Sequence, residues 1–181
     1  MLIVEDSATD AHLVVEELQR TGRRIDFERV ETPAAMRAAL EREWDVVVAD
    51  WSVPDLDGLA ALSLLKELNL DLPFIIISAT GGEEHAVHAI RAGAHDYVTK
   101  DKLGRLIPAV ERELIERGTR HARQEAELAL REAERRMRRM VDSAMVGIWF
   151  QGAEGKTSFM NHRMAQILGL TTAAKIKVVV A

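Results

Sequence analysis

Short, almost unbroken apolar runs alternate with amphipathic stretches through the first hundred residues. The runs are "MLIV" (1–4), a weaker "DFERV" (26–30), "DVVVA" (45–49), "FIIIS" (74–78) and "DYVT" (96–99). Continuous Val and Ile, rather than strict alternation, is the pattern of parallel strands covered on both faces. Between the runs the apolar spacing turns helical over 7–21, 33–43, 57–68 and 83–92, and a further helix starts near Leu103. Ser7 and Thr32 stand where N-caps belong, Gly22 and Gly93 where C-caps belong. Five β/α repeats with short connections predict an α/β fold, an open doubly wound five-stranded parallel sheet with right-handed crossovers.

From Leu103 the punctuation changes. Apolar residues recur at 103, 107, 110 and 114, and again at 126, 130, 133, 137, 140 and 144, the 4-3-4 spacing of a coiled-coil seam. Arg117, His121 and Gln124 occupy the positions between, and the phase slips there. The spacing predicts a long helix over 105–145, continuous with the fifth helix, with a poor middle to its seam. Pro108 belongs in the first turns, where a missing N–H costs least. After Met145 the chain reads as strand, glycine turn ("GAEGK"), strand and short helix ("HRMAQILGL"), and the tail "KIKVVVA" reads as one more strand. Residues 146–181 are too few for an independent core, so they look like the opening of a larger α+β domain.

Composition sharpens this picture. The net charge of −5 hides an asymmetry: residues 1–104 carry 20 acidic and 10 basic side chains, residues 105–181 carry 9 and 14. Glu is interleaved with Arg in the basic part, so a solvated helix laced with ion pairs is favoured over a nucleic-acid surface. Cysteine is absent, which excludes disulfides and thiolate metal sites. No apolar run approaches the ~18 residues of a membrane span and no signal peptide precedes the first strand, so no membrane contact and a cytoplasmic location are expected.

In an open parallel sheet, ligands bind beyond the carboxyl ends of the strands. The first run ends in Glu5 and Asp6, the third in Asp50, the fourth in Ser78, Ala79 and Thr80, the fifth in Lys100. Three converging carboxylates repel unless a cation shares the site, and all-oxygen ligation suits Mg²⁺, with Lys100 as a fixed compensating charge.

The segments "LIVEDS", "VVVADWSVPDLDG", "FIIISAT" and "AGAHDYVTKD", in this order and spacing, resemble the receiver domain of two-component response regulators, a flavodoxin-like fold, over residues 1–117. The resemblance implies that Asp50 accepts a phosphoryl group from a phosphohistidine on a histidine kinase or phosphotransfer protein. It implies that Glu5, Asp6, Asp50 and the backbone carbonyl of Ser52 hold Mg²⁺. Lys100 and Ser78 would contact the phosphoryl group, and Tyr97 would be the aromatic switch that follows Ser78. Trp51 stands where a smaller aliphatic is usual, Asp101 replaces the proline common after the lysine, and Glu5 replaces the more frequent Asp. Residues 140–170 resemble the start of a PAS domain, with no cofactor expected in so short a piece. Receiver, signalling helix and PAS in that order resemble the front of a hybrid sensor histidine kinase, and a parallel homodimer through the helix is expected.

A phosphatase of the haloacid-dehalogenase type needs an Asp two residues after the nucleophile, where Ser52 stands. A kinase fragment would need ATP-binding or phosphotransfer segments, so no separate catalytic domain is expected. No helix-turn-helix follows the receiver-like part, which argues against DNA binding. A dimerisation module with a vestigial acceptor site is opposed by the full set Glu5, Asp6, Asp50, Ser78 and Lys100. His85 and His88 read as surface residues, His121 as a seam or solvent residue, Thr80 as a loop hydroxyl, and Gly81-Gly82 as a flexible loop rather than a phosphate cradle.

Overall fold

The computed structural model describes residues 1–79, 82–152 and 157–170. Thr80, Gly81, most of the "GAEGK" turn and the "KIKVVVA" tail lie outside the described residues. The chain divides into two compact units, Met1–His121 and Ala122–Ala181.

The first unit alternates strands and helices as the sequence predicts: β1 (Leu2–Val4), α1 (Ala8–Gln19), β2 (Glu28–Val30), α2 (Pro33–Ala39), β3 (Val47–Asp50), α3 (Gly58–Glu67), β4 (Phe74–Ser78), α4 (Glu83–Arg91) and β5 (Asp96–Thr99). A 3₁₀ segment, Lys100–Arg105, leads into α5, Leu106–Asp142. The strands form one parallel sheet in the order β2-β1-β3-β4-β5. The order reverses beside β1, so the carboxyl ends of β1 and β3 border a crevice.

Strand residues alternate between two helical layers. Leu2, Val4, Val47, Ala49, Phe74, Ile76 and Tyr97 pack with α2 and α3 on one face. Ile3, Val46, Val48, Ile75, Ile77 and Val98 pack with Ala11, Val14, Val15 and Leu18 of α1 and Leu106, Ala109 and Val110 of α5 on the other. Both faces are covered, which is why the runs read as continuous rather than alternating.

The predicted caps are present. Ser7 Oγ accepts the Asp10 N–H at 3.2 Å, Thr32 Oγ1 accepts the Ala35 N–H at 3.2 Å, and Gly22 and Gly93 take φ of 76° and 93° after their helices. Pro108 lies in the first turn of α5. After β3, Asp57 caps α3 by accepting the Ala60 N–H at 2.7 Å. Gly58 follows because an added Cβ there would stand 2.9 Å from the Asp50 carbonyl oxygen. The Asp-Gly pair thus folds the chain back tightly against the end of β3.

The stretch read as a seam with a poor middle proves to be fastened to the first unit. Arg117 Nη1 donates to the carbonyls of Trp44 at 3.1 Å and Asp45 at 3.4 Å, while Arg120 and His121 reach Asp71 at 3.1 and 3.2 Å. The heptad slips there because these side chains serve contacts with the loops at the amino ends of β3 and β4. His121 is exposed, in keeping with the solvent reading, and its ring meets Asp71 at the surface.

In the second unit, Trp149–Gln151 (β6) and Thr157–Met160 (β7) pair antiparallel, followed by His162–Ile167 (α6). Asn161, fully buried, ties this unit together. Its Oδ1 accepts the N–H groups of Ile148 at 2.8 Å and Met164 at 3.0 Å, and its Nδ2 donates to the carbonyls of Val141 and Val146, both at 2.9 Å.

Candidate functional site

Buried apolar strands hold the acidic residues rigidly at the rim of the sheet. Glu5 follows β1 and is 1% exposed; Asp50 ends β3 and is buried; Lys100 follows β5. Lys100 Nζ donates to Glu5 Oε2 at 3.0 Å, to Asp50 Oδ2 at 2.7 Å and to Asp10 Oδ2 at 2.5 Å. Oxygen atoms of Glu5, Asp10 and Asp50 lie within 4.8 Å of one another, the one such acidic group among the described residues.

The first loop is fixed from inside and outside. The Ser7 N–H donates to Glu5 Oε1 at 3.1 Å, and Arg29 Nη1 on β2 donates to the carbonyls of Glu5 at 2.7 Å and Asp6 at 3.1 Å. The Ser52 N–H reaches Asp50 Oδ1 at 3.4 Å. Ser78 is buried at the end of β4, where it pairs in register with Thr99.

The charges respond to this crowding. Burial, against the opposing Lys100 bond, raises the Glu5 carboxyl to about 7. Burial works to lower the Lys100 ammonium, but its bonds to Asp10, Asp50 and Glu5 outweigh this and leave it above the ordinary lysine range. The Lys100 bond holds Asp10 below the usual carboxylate value. A dense set of oxygen donors with one carboxyl driven toward protonation fits a divalent cation of the Mg²⁺ type.

Of the residues singled out from sequence, Glu5, Asp50 and Lys100 are brought together by direct contact. Asp6 faces solvent and its carboxylate is not part of the cluster. Two contributors escaped the sequence reading. Asp10 is one helical turn beyond the acidic pair and looks like an ordinary first-turn acid; Arg29 lies on a strand with weak patterning.

Beside Asp50 stands an aromatic group. The Trp51 and His85 rings stack at 4.4 Å, and His88 and Tyr97 meet Trp51 edge-on at 6.1 and 6.3 Å. His85 is half-buried by this stack, so reading it as a surface residue is corrected; His88 is exposed. Tyr97 is 8% exposed, and its hydroxyl and His85 Nδ1 are buried with no hydrogen-bond partner among the described residues.

Comparisons with known proteins agree with this fold. The family model of the response regulator receiver domain matches residues 1–111. The chain is 31% identical over 119 residues to the phosphate regulon transcriptional regulatory protein PhoB of Pseudomonas aeruginosa, covering 65% of this chain and 48% of that protein. It thus spans about half the length of this relative. It is 29% identical over 115 residues to the chemotaxis protein CheY of Bacillus subtilis, covering 63% of this chain and 96% of that one. Among solved structures it is similar to the receiver domain of NtrX from Brucella abortus, at 35% identity and a TM-score of 0.55, covering 62% of this chain and 96% of that one. No helix among the described residues is long and apolar enough to cross a membrane. The chain belongs to the response regulator receiver domain family of two-component signalling.

Proposed function

We propose that Asp50 accepts a phosphoryl group from the phosphohistidine of a histidine kinase or histidine phosphotransfer protein. The observation that carries this is the Lys100 ammonium bonded to both Asp50 and Glu5, three groups delivered by the ends of separate strands. An Asp50 oxygen forms a bond to phosphorus as the bond from phosphorus to the histidine nitrogen breaks, its electron pair remaining on the imidazole. The product is an acyl phosphate, energy-rich and hydrolysable as a reversible signal requires. Glu5, Asp50 and the backbone carbonyl of Ser52 would hold Mg²⁺, and Asp6, now exposed beside Glu5, would turn in to complete the set when the ion binds. A bound Mg²⁺ neutralises charge on the equatorial phosphoryl oxygens. Lys100 orients the acceptor carboxylate, and Ser78 donates to the new phosphoryl group.

Phosphorylation adds about two negative charges at the rim. Ser78 follows that charge and Tyr97 acts as the aromatic switch, turning as Ser78 moves. The Tyr97 hydroxyl, without a partner among the described residues, supports a side chain with two resting places. The signal then passes along α5, and exposed Leu130, Met137 and Met140 support a parallel homodimer seam in its distal part. We assign residues 1–117 to the receiver, 105–145 to the linking helix and 146–181 to the opening of a PAS-like domain. The hairpin and helix over 149–167 support that last assignment. This order of parts suits the front of a hybrid sensor histidine kinase.

The test is labelling by acetyl phosphate in the presence and absence of Mg²⁺, with the oligomeric state measured alongside. Mg²⁺-dependent labelling that Asp50→Asn abolishes is expected; labelling that survives this substitution excludes the assignment.

A further inference from the structure

Among the acids around Lys100, Asp10 is the one to which the reading above gives no role, although it stands in the same cluster. An ammonium has three N–H donors. Lys100 spends them on Glu5, Asp50 and Asp10, which approach from β1, β3 and α1. The Glu5 and Asp50 side chains are 1% and 10% exposed, whereas Asp10 is 35% exposed and closes the ammonium's open side.

Asp10 is itself held at both ends. Its backbone N–H donates to Ser7 Oγ, the Ser7 N–H donates to Glu5 Oε1, and Glu5 Oε2 returns to Lys100. Together with the bond from Lys100 to Asp10 this makes a closed ring running Glu5, Ser7, Asp10, Lys100 and back to Glu5. The ring ties the first turn of α1 to the ammonium.

When Asp50 becomes an acyl phosphate, its carboxylate charge passes to the phosphoryl group, and one N–H of Lys100 must turn to a phosphoryl oxygen. A lysine is a point charge on a flexible four-carbon stem, and with an anchor lost it swings. Resting on the phosphoacceptor reading above, we infer that Asp10 is a positioning residue that steadies the Lys100 ammonium from the solvent side while Asp50 reacts. Its contribution is placement of a donor, not metal ligation and not bulk charge.

These alternatives separate in one experiment on the full chain. Labelling of Asp50 by acetyl phosphate is followed for the wild type, Asp10→Ala, Asp10→Asn and Asp50→Asn. Mg²⁺ binding is titrated in parallel by tryptophan fluorescence, Trp51 lying next to Asp50, and folding is checked by circular dichroism. The expected result is labelling about tenfold slower in Asp10→Ala, since small misplacements of a positioned group are costly in rate. Asp10→Asn, near-isosteric and still an acceptor for the ammonium, should recover to within about threefold of the wild type, with Mg²⁺ affinity moving less than about threefold in either variant. Labelling at or above the wild-type rate in both variants overturns the inference, because Asp10 would then only add repulsion. Loss of Mg²⁺ affinity in step with the rate overturns it too, by making Asp10 a metal ligand. Asp10→Asn keeps the question decidable if Asp10→Ala fails to fold. Retained labelling of Asp50→Asn would instead remove the reading on which the inference rests.

Discussion

Tyr97 carries a small internal contradiction. Its ring packs against Trp51 in the core, yet its hydroxyl is buried with no partner among the described residues. An unsatisfied buried polar group costs about 1–3 kcal/mol. Tyr97→Phe keeps the ring and removes the burden, so unfolding in urea should show a gain of about 1 kcal/mol over the wild type. An unchanged or lower midpoint would mean that the hydroxyl has a partner in solution. Asp50, Lys100, Ser78 and Tyr97 could be singled out from sequence because each stands in or beside a strand end and matches a family segment. Asp10, Arg29 and His85 could not. Their roles depend on which helix or strand lies across from them, and neither charge nor spacing along the chain encodes that.

Elements were the most legible scale. Runs of Val and Ile bounded by Gly, Asp and Pro left little freedom over where strands lie, and caps at Ser7 and Thr32 fixed where helices start. The contacts of α5 were not legible, because a heptad count registers Arg117 and His121 as interruptions and says nothing of what they touch. Asp71 receives both Arg120 and His121. Burial works to raise its carboxyl, but those bonds outweigh it and hold it below the ordinary value. A carboxyl depressed in the folded state contributes stability above its unfolded pKa of about 3.9 and loses it as pH falls through the lower folded value. Protection against hydrogen exchange over residues 115–123, taken relative to the intrinsic rate at each pH, should therefore fall below about pH 4 in the wild type, and Asp71→Asn should show the lowered protection already at pH 7. Equal exchange in the two proteins at pH 7 would show that the fastening contributes nothing. The loss in global stability should be slight, since exposed ion pairs contribute roughly 0–1 kcal/mol.

For the whole molecule, the fastening sets where association can begin. The side of α5 that carries Arg117, Arg120 and His121 is engaged with loops of its own first unit, which ends at His121. Beyond it, Leu130, Met137 and Met140 are 60%, 63% and 60% exposed at heptad spacing. A single helix leaves such a stripe in water, and pairing covers it. Sedimentation should find a dimer for the full chain and a monomer for Leu130→Asp with Met137→Asp, while acetyl phosphate labelling persists in both. A monomeric wild type would exclude the seam.

The stack between Trp51 and His85 joins the residue after Asp50 directly to the first turn of α4. A displacement of Asp50 that carried Trp51 with it would therefore press on α4 through two flat, stiff plates. That contact gives the outer helix a ring-to-ring neighbour at the acidic crevice, set by side chains and not by the order of the chain.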